Sequence, residues 1–209
     1  MARAVKLVQI ISLLVAPVVT AAEPSQALQQ LLHPVKSLSA QFVQTISDAN
    51  GEPYETSRGV FSVAQPNRVR WQVIEPLAQE IISDGQLVWI YDPDLEQVII
   101  QSYDSNAAAS PANLFSSDLQ TLKSNYEIIY QGNESALESF ILIPKKSGGF
   151  YQSLQIDFVK QDPVALEFVD SLEQVTRIEF DDVIINSELA DSLFTFEVPP
   201  DVDVISNGD

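Results

Sequence analysis

The chain has 209 residues, a formal net charge of −18, one histidine and no cysteine. That length holds one domain with a sizeable core. The charge excludes nucleic-acid or anionic-membrane binding by electrostatics, and the missing thiols exclude disulfides, a cysteine nucleophile and cysteine-ligated metal.

Arg3 and Lys6 precede an apolar run over residues 7–19, broken only by Gln9, Ser12 and Pro17, and Thr20-Ala21-Ala22 follows. The run is too short to span a bilayer and ends in small residues, which is a secretory signal pattern cleaved after Ala21 or Ala22. The expected organisation is a signal peptide over residues 1–21 and a single domain over residues 22–209. Lipid anchoring at a processed N-terminus requires cysteine, so the mature chain is expected free in its compartment. Its acidic surface is either plain solvation or a face for basic partners.

Residues 24–33 read as a helix, with Pro24 in the first turn, Leu28, Leu31, Leu32 and Val35 at helical spacing, and Pro34 as the stop. Residues 38–47 read as a strand, Asn50-Gly51 as a hairpin turn, and residues 54–64 as the return strand. Residues 59–98 then form a meander punctuated by Gln65-Pro66-Asn67, Glu75-Pro76, Asp84-Gly85 and Asp92-Pro93-Asp94. Val69, Trp71 and Val73 fall on one strand face, with Arg68, Arg70 and Gln72 on the other. Leu87, Trp89 and Tyr91 repeat that pattern and are expected to extend the same broad aromatic face. Residues 98–103 continue the sheet. Ser110-Pro111 opens a short helix carrying Leu114 and Phe115, and a second turn covers residues 118–122. Strands are expected over residues 126–130, 139–143, 150–159, 165–170, 174–180 and 194–198. The sum is one antiparallel sheet of about ten strands with a few short helices, large enough to curl into a barrel or half-barrel.

Enzyme chemistry finds little support. A triad would need His33, which sits in a greasy helix before Pro34, and no Gly-x-Ser-x-Gly elbow occurs. Asp92, Asp94 and Glu96 lack the glycine and spacing of a calcium loop, and there is no Gly-rich phosphate loop. No catalytic residue, metal or cofactor is expected. What remains is an excess of apolar surface. From the residues alone, a closed core and a pocket for something greasy both stay open.

The order Gly-Val-Phe…Gln-Pro-Asn-Arg-Val-Arg-Trp…Glu-Pro…Asp-Gly…Val-Trp-Ile-Tyr-Asp-Pro-Asp-Leu-Glu-Gln-Val over residues 59–98 resembles the periplasmic outer-membrane lipoprotein carrier family, LolA. Ser39-Ala40-Gln41-Phe42-Val43-Gln44, Ser110-Pro111-Ala112-Asn113-Leu114 and Phe194-Thr195-Phe196-Glu197-Val198-Pro199 are similar to that family's first strand, lid helix and ending. The resemblance covers nearly the whole mature chain. It implies a mainly β (α+β) fold: an unclosed antiparallel β-barrel of about ten to eleven strands, with short α-helices as a lid over a hydrophobic cavity. It further implies a monomeric periplasmic chaperone. Such a chaperone receives acylated lipoproteins from an inner-membrane ABC transporter and hands them to an outer-membrane receptor. The candidate cargo-binding residues are then Leu28, Leu32, Val69, Trp71, Val73, Ile82, Trp89, Tyr91, Leu114 and Phe115.

The family often carries arginine before the proline of the first meander turn, where it bonds the lid; Gln65 takes that place here. The family's N-terminal helix usually lacks a proline, which here is Pro34. Two other functions compete with carriage: a free-lipid-binding or envelope-stress-sensing module on the same half-barrel, and a lipid hydrolase. N-terminal sequencing of the mature protein is expected to begin at Ala22 or Glu23 in the soluble fraction; a retained Met1 would refute the signal peptide.

Overall fold

In a computed structural model, the residues described are 23–103, 114–115, 119–132, 136–146 and 151–207. The signal peptide and its cleavage site, and Ser110 to Asn113 of the expected lid helix, lie outside them. Among the described residues, the helices α1 (Pro24–Leu32) and α2 (Leu119–Asn125) accompany one sheet. Its strands are β1 (Ser37–Ser47), β2 (Pro53–Ala64), β3 (Arg68–Glu75), β4 (Gln79–Asp84), β5 (Leu87–Asp92), β6 (Gln97–Ser102), β7 (Tyr126–Gly132), β8 (Leu137–Pro144), β9 (Tyr151–Val159), β10 (Asp162–Asp170), β11 (Val175–Ile185) and β12 (Asp203–Asn207). They are ordered β12-β6-β5-β4-β3-β2-β1-β11-β10-β9-β8-β7. β12 and β7 each have a single neighbour, so the sheet is unclosed.

Neighbouring strands run antiparallel except β12, which lies parallel to β6. That pair accounts for the count of twelve where ten to eleven were expected. It also corrects the expected last strand at residues 194–198. Asp191–Phe194 is instead a 3₁₀ turn, and the ladder is taken up by the more polar Asp203–Asn207 after Pro199 and Pro200.

Turn chemistry sets the registers. At the β4–β5 hairpin Gly85 adopts φ +93°. Asp84 Oδ1 accepts from the backbone N–H groups of Gln86 (2.7 Å) and Leu87 (2.8 Å), which closes the two-residue loop with one positive φ. The connection has an even number of residues. Trp71 opposes Ile81, Ile81 opposes Ile90, and Ile90 opposes Ile99. The face carried by odd positions on β3 and β4 therefore passes to even positions on β5. Trp89 opposes Ile82, and Tyr91 opposes Glu80. The expectation that Trp89 and Tyr91 share a face with Trp71 is thus corrected, and Ile82 joins them on the other side.

The inner face is one apolar surface from β7 round to β4. Leu38, Phe42, Phe61, Phe140, Leu142, Leu154, Ile156, Phe158 and Leu166 are buried there, with Leu28 and Leu32 of α1, Leu114, Phe115 and Leu122 packed over them. Phe42 stacks on Trp71 with centroids 3.9 Å apart, and Phe61 bridges Trp71 (5.5 Å), Phe180 (5.8 Å) and Phe115 (6.1 Å). On the outer face of β3–β6, Ile82, Val98 and Phe194 form a second buried group. The segment after β11 straps it down. Arg68 pairs with Asp191 and lies 5.2 Å from the Phe194 ring, Arg70 donates to Leu193 O (3.2 Å), and Phe196 meets Tyr91 at 5.2 Å.

The Phe42–Trp71 stack depends on Gly59, which opposes Phe42. A Cβ there would lie 1.9 Å from Gln72 O and 2.6 Å from the Phe42 ring. Gly59→Ala is expected to destabilise the fold by about 1–3 kcal/mol, read as a lower urea midpoint at unchanged slope. An unchanged midpoint would show that the strands yield freely at this point.

Candidate functional site

The inner face is an apolar surface. Among the described residues no charged side chain is buried on it. Among the described residues the one buried carboxylate, Asp157, faces outward, paired with Arg177 at 3.4 Å and accepting from Gln155. Two hydroxyls sit on the inner side near β7. Burial pushes the phenols of Tyr126 and Tyr151 up, with repulsion from Tyr151 adding to the effect at Tyr126, and both stay neutral. His33 is exposed at the C-terminal end of α1, apart from this surface. Among the described residues no group of three or more His, Asp or Glu is placed to hold a metal.

The cover is helical. Pro24 fits the first turn of α1, where its missing N–H costs nothing, and the helix ends at Leu32, so Pro34 lies beyond it and does not interrupt it. Leu28 and Leu32 are fully buried against the sheet. Leu114 and Phe115, which precede α2 in the chain, are buried too.

Gln65 sits where these parts meet. Its side-chain amide donates to Val35 O (2.9 Å) and to Phe115 O (3.1 Å), while Lys36 Nζ lies 3.5 Å from its Oε1. One neutral amide therefore joins the end of the α1 segment to the segment carrying Phe115.

Of the residues singled out from the sequence, the structure brings Leu28, Leu32, Val69, Leu114 and Phe115 together in the buried inner group, with Trp71 and Val73 half-buried against it. It puts Ile82, Trp89 and Tyr91 on the outer face, under the C-terminal strap or beside it. Phe42, Phe61, Phe140, Phe158 and Phe180 were missed as inner-face residues. Their signal was present in the alternation of β1, β2, β8, β9 and β11. Only contacts across the sheet show which of those faces turns toward Trp71.

The model of the family described as outer membrane lipoprotein carrier protein LolA matches residues 33–197. The outer-membrane lipoprotein carrier protein of Chromohalobacter salexigens is 37% identical over 185 residues, covering 88% of this chain and 87% of its own. The protein of the same description from Neisseria meningitidis is 32% identical over 196 residues, covering 94% and 93%. Among solved structures, an uncharacterised conserved protein of Thermus thermophilus has a TM-score of 0.55 at 13% identity, covering 87% of this chain and all of that one, a likeness of fold alone. With the family model matching most of its length and relatives above 30% identity matching nearly all of it, the chain belongs to the outer membrane lipoprotein carrier family, LolA.

Proposed function

We propose that the protein is a periplasmic chaperone that shields the acyl chains of lipoproteins on its inner face and carries them to the outer membrane. The observation that carries this is the continuous apolar face of an open sheet, covered by separate helices rather than by a second sheet. Each buried CH₂ contributes about 0.8 kcal/mol, so one long acyl chain gains roughly 10 kcal/mol on leaving water. Only a shielded path takes it across an aqueous compartment. The inner face offers no charge and no covalent anchor, which suits holding that is tight yet reversible. The family is one of carriers rather than enzymes. No helix among the described residues is long and apolar enough to cross a membrane.

The cargo is an acylated lipoprotein. The donor is an inner-membrane lipoprotein-releasing ABC transporter and the acceptor an outer-membrane lipoprotein receptor, with the carrier working as a monomer. Depleting the protein should leave outer-membrane lipoproteins stranded at the inner membrane; an unchanged distribution would overturn the proposal. Free lipid rather than intact acylated protein co-purifying with it would favour a lipid-binding module instead.

The two faces make distinct predictions. Trp71→Glu is expected to weaken binding of a hydrophobic fluorescent probe while the far-UV spectrum stays native, because a carboxylate beside an opening chamber is solvated only at the expense of apolar contact. Trp89→Ala is expected to leave probe binding unchanged. Loss of binding in the Trp89 variant alone would reverse the assignment of faces.

Gln65 acts as the latch of the closed form. A charged donor strengthens such bonds, to about 1.5–3 kcal/mol against about 1 for a neutral one. Gln65→Arg is expected to lower apparent probe affinity about five-fold and to speed release to the receptor, because closure opposes loading. Tighter retention by the arginine variant would sink the latch.

A further inference from the structure

The link between α1 and β1, residues 34–37, is gripped from both sides by two residues of the flanking strands' ends. On one side, Asn186 donates its side-chain N–H to Pro34 O (2.9 Å) and its backbone N–H to Ser37 O (2.8 Å). On the other, Gln65 donates its side-chain N–H to Val35 O (2.9 Å) and its backbone N–H to Lys36 O (2.9 Å). Four successive carbonyls are thus satisfied by two residues. Asn186 Oδ1 also accepts from the backbone N–H groups of Lys36 (2.7 Å) and Ser37 (3.4 Å), and Ser37 Oγ donates to Ser187 O (2.6 Å). Asn186 sits at φ +59°, a left-handed conformation that asparagine tolerates and most residues do not. A linker meant to swing would leave its amides and carbonyls to water; this one is held like an added rung of the sheet.

We propose that α1 is a fixed wall of the chamber and that Asn186 is the positioning residue that fixes it, so that α1 stays seated when the chamber is loaded. This rests on the carrier function proposed above. Gln65, which holds this link at Val35 and Lys36, also donates its side-chain N–H to Phe115 O at 3.1 Å. At the far end of α1, Lys123 pairs with Glu23 at 2.6 Å in a solvent-exposed contact of little strength. Burial of Leu28 and Leu32 against the sheet completes the seating.

The test is amide hydrogen exchange on the whole protein, with and without a synthetic tripalmitoylated cysteinyl peptide. On loading, residues 24–37 are expected to keep their exchange rates. Faster exchange across α1 on loading would overturn the proposal. Asn186→Gly keeps the positive φ without strain and removes every side-chain bond. In the unloaded variant, α1 is expected to exchange about tenfold faster, with sheet amides unchanged, and peptide affinity is expected to fall by a similar factor. Asn186→Asp retains the acceptor for Lys36 and Ser37 and should recover part of both effects. A residue with a merely structural role would lower the melting temperature without singling out α1. Unchanged α1 exchange in the glycine variant would therefore refute the anchor. Failure of the wild-type protein to bind the peptide would count against the carrier function, and the unloaded comparison would still decide the anchor.

Discussion

A sheet that does not close cannot cover its own concave face. Here that face runs unbroken from β7 through β1 to β4, with strand order set by β1 pairing both β2, its sequence neighbour, and β11, far along the chain. Aromatic rings in contact, Phe42 on Trp71 and Phe61 on Phe180, keep this surface too large to expose. Helices supply the cover, and a helical cover contacts a sheet through side chains. Side-chain contacts part at less cost than the ladder bonds that a second sheet would impose. The same constraint that demands a cover therefore leaves that cover held by side chains.

The outer face solves a different problem. Under the C-terminal segment, Ile82, Val98 and Phe194 form a small core, closed by the guanidinium of Arg68 between Asp191 and the Phe194 ring. Elsewhere on this side Arg177 gathers Asp157, Glu167 and Glu179. Those carboxylates hold the guanidinium in its charged form against the opposing effect of its own burial. Among the described residues the ionic contacts thus lie outside, and the buried inner group is held by apolar packing.

Most of the elements were legible in the sequence because their signals are local. Asn50-Gly51, Gln65-Pro66-Asn67 and Asp84-Gly85 each mark a turn whatever the fold, and the alternation in residues 38–47 and 151–159 marks strands. The sharing of faces was not legible. Val69, Trp71 and Val73 look like Leu87, Trp89 and Tyr91 when each strand is read by itself. The side on which a strand lands depends on whether an odd or even number of residues connects it to its neighbour, and on bulges such as the one between Arg58 and Gly59. Ile82 went astray for the same reason. The 3₁₀ turn at Asp191–Phe194 was unreadable because Phe194 and Phe196 alternate as in a strand, yet Phe194 lies against the Arg68 guanidinium and Phe196 against the Tyr91 ring, both far back along the chain. Gln65 was found only because the family places a lid contact there.

The parallel strand β12 bears on what the sheet shows to other molecules. Its partner β6 presents Val98, Ile99 and Ile100 in a row, an apolar β-branched edge of the kind that templates association between molecules. Residues 203–207 pair with that row, so β6 is not a border of the sheet. The border passes instead to a five-residue strand that carries Asp203, Ser206 and Asn207 beside Val204 and Ile205. A short, part-polar border is a poorer template for a second molecule than the apolar row it covers.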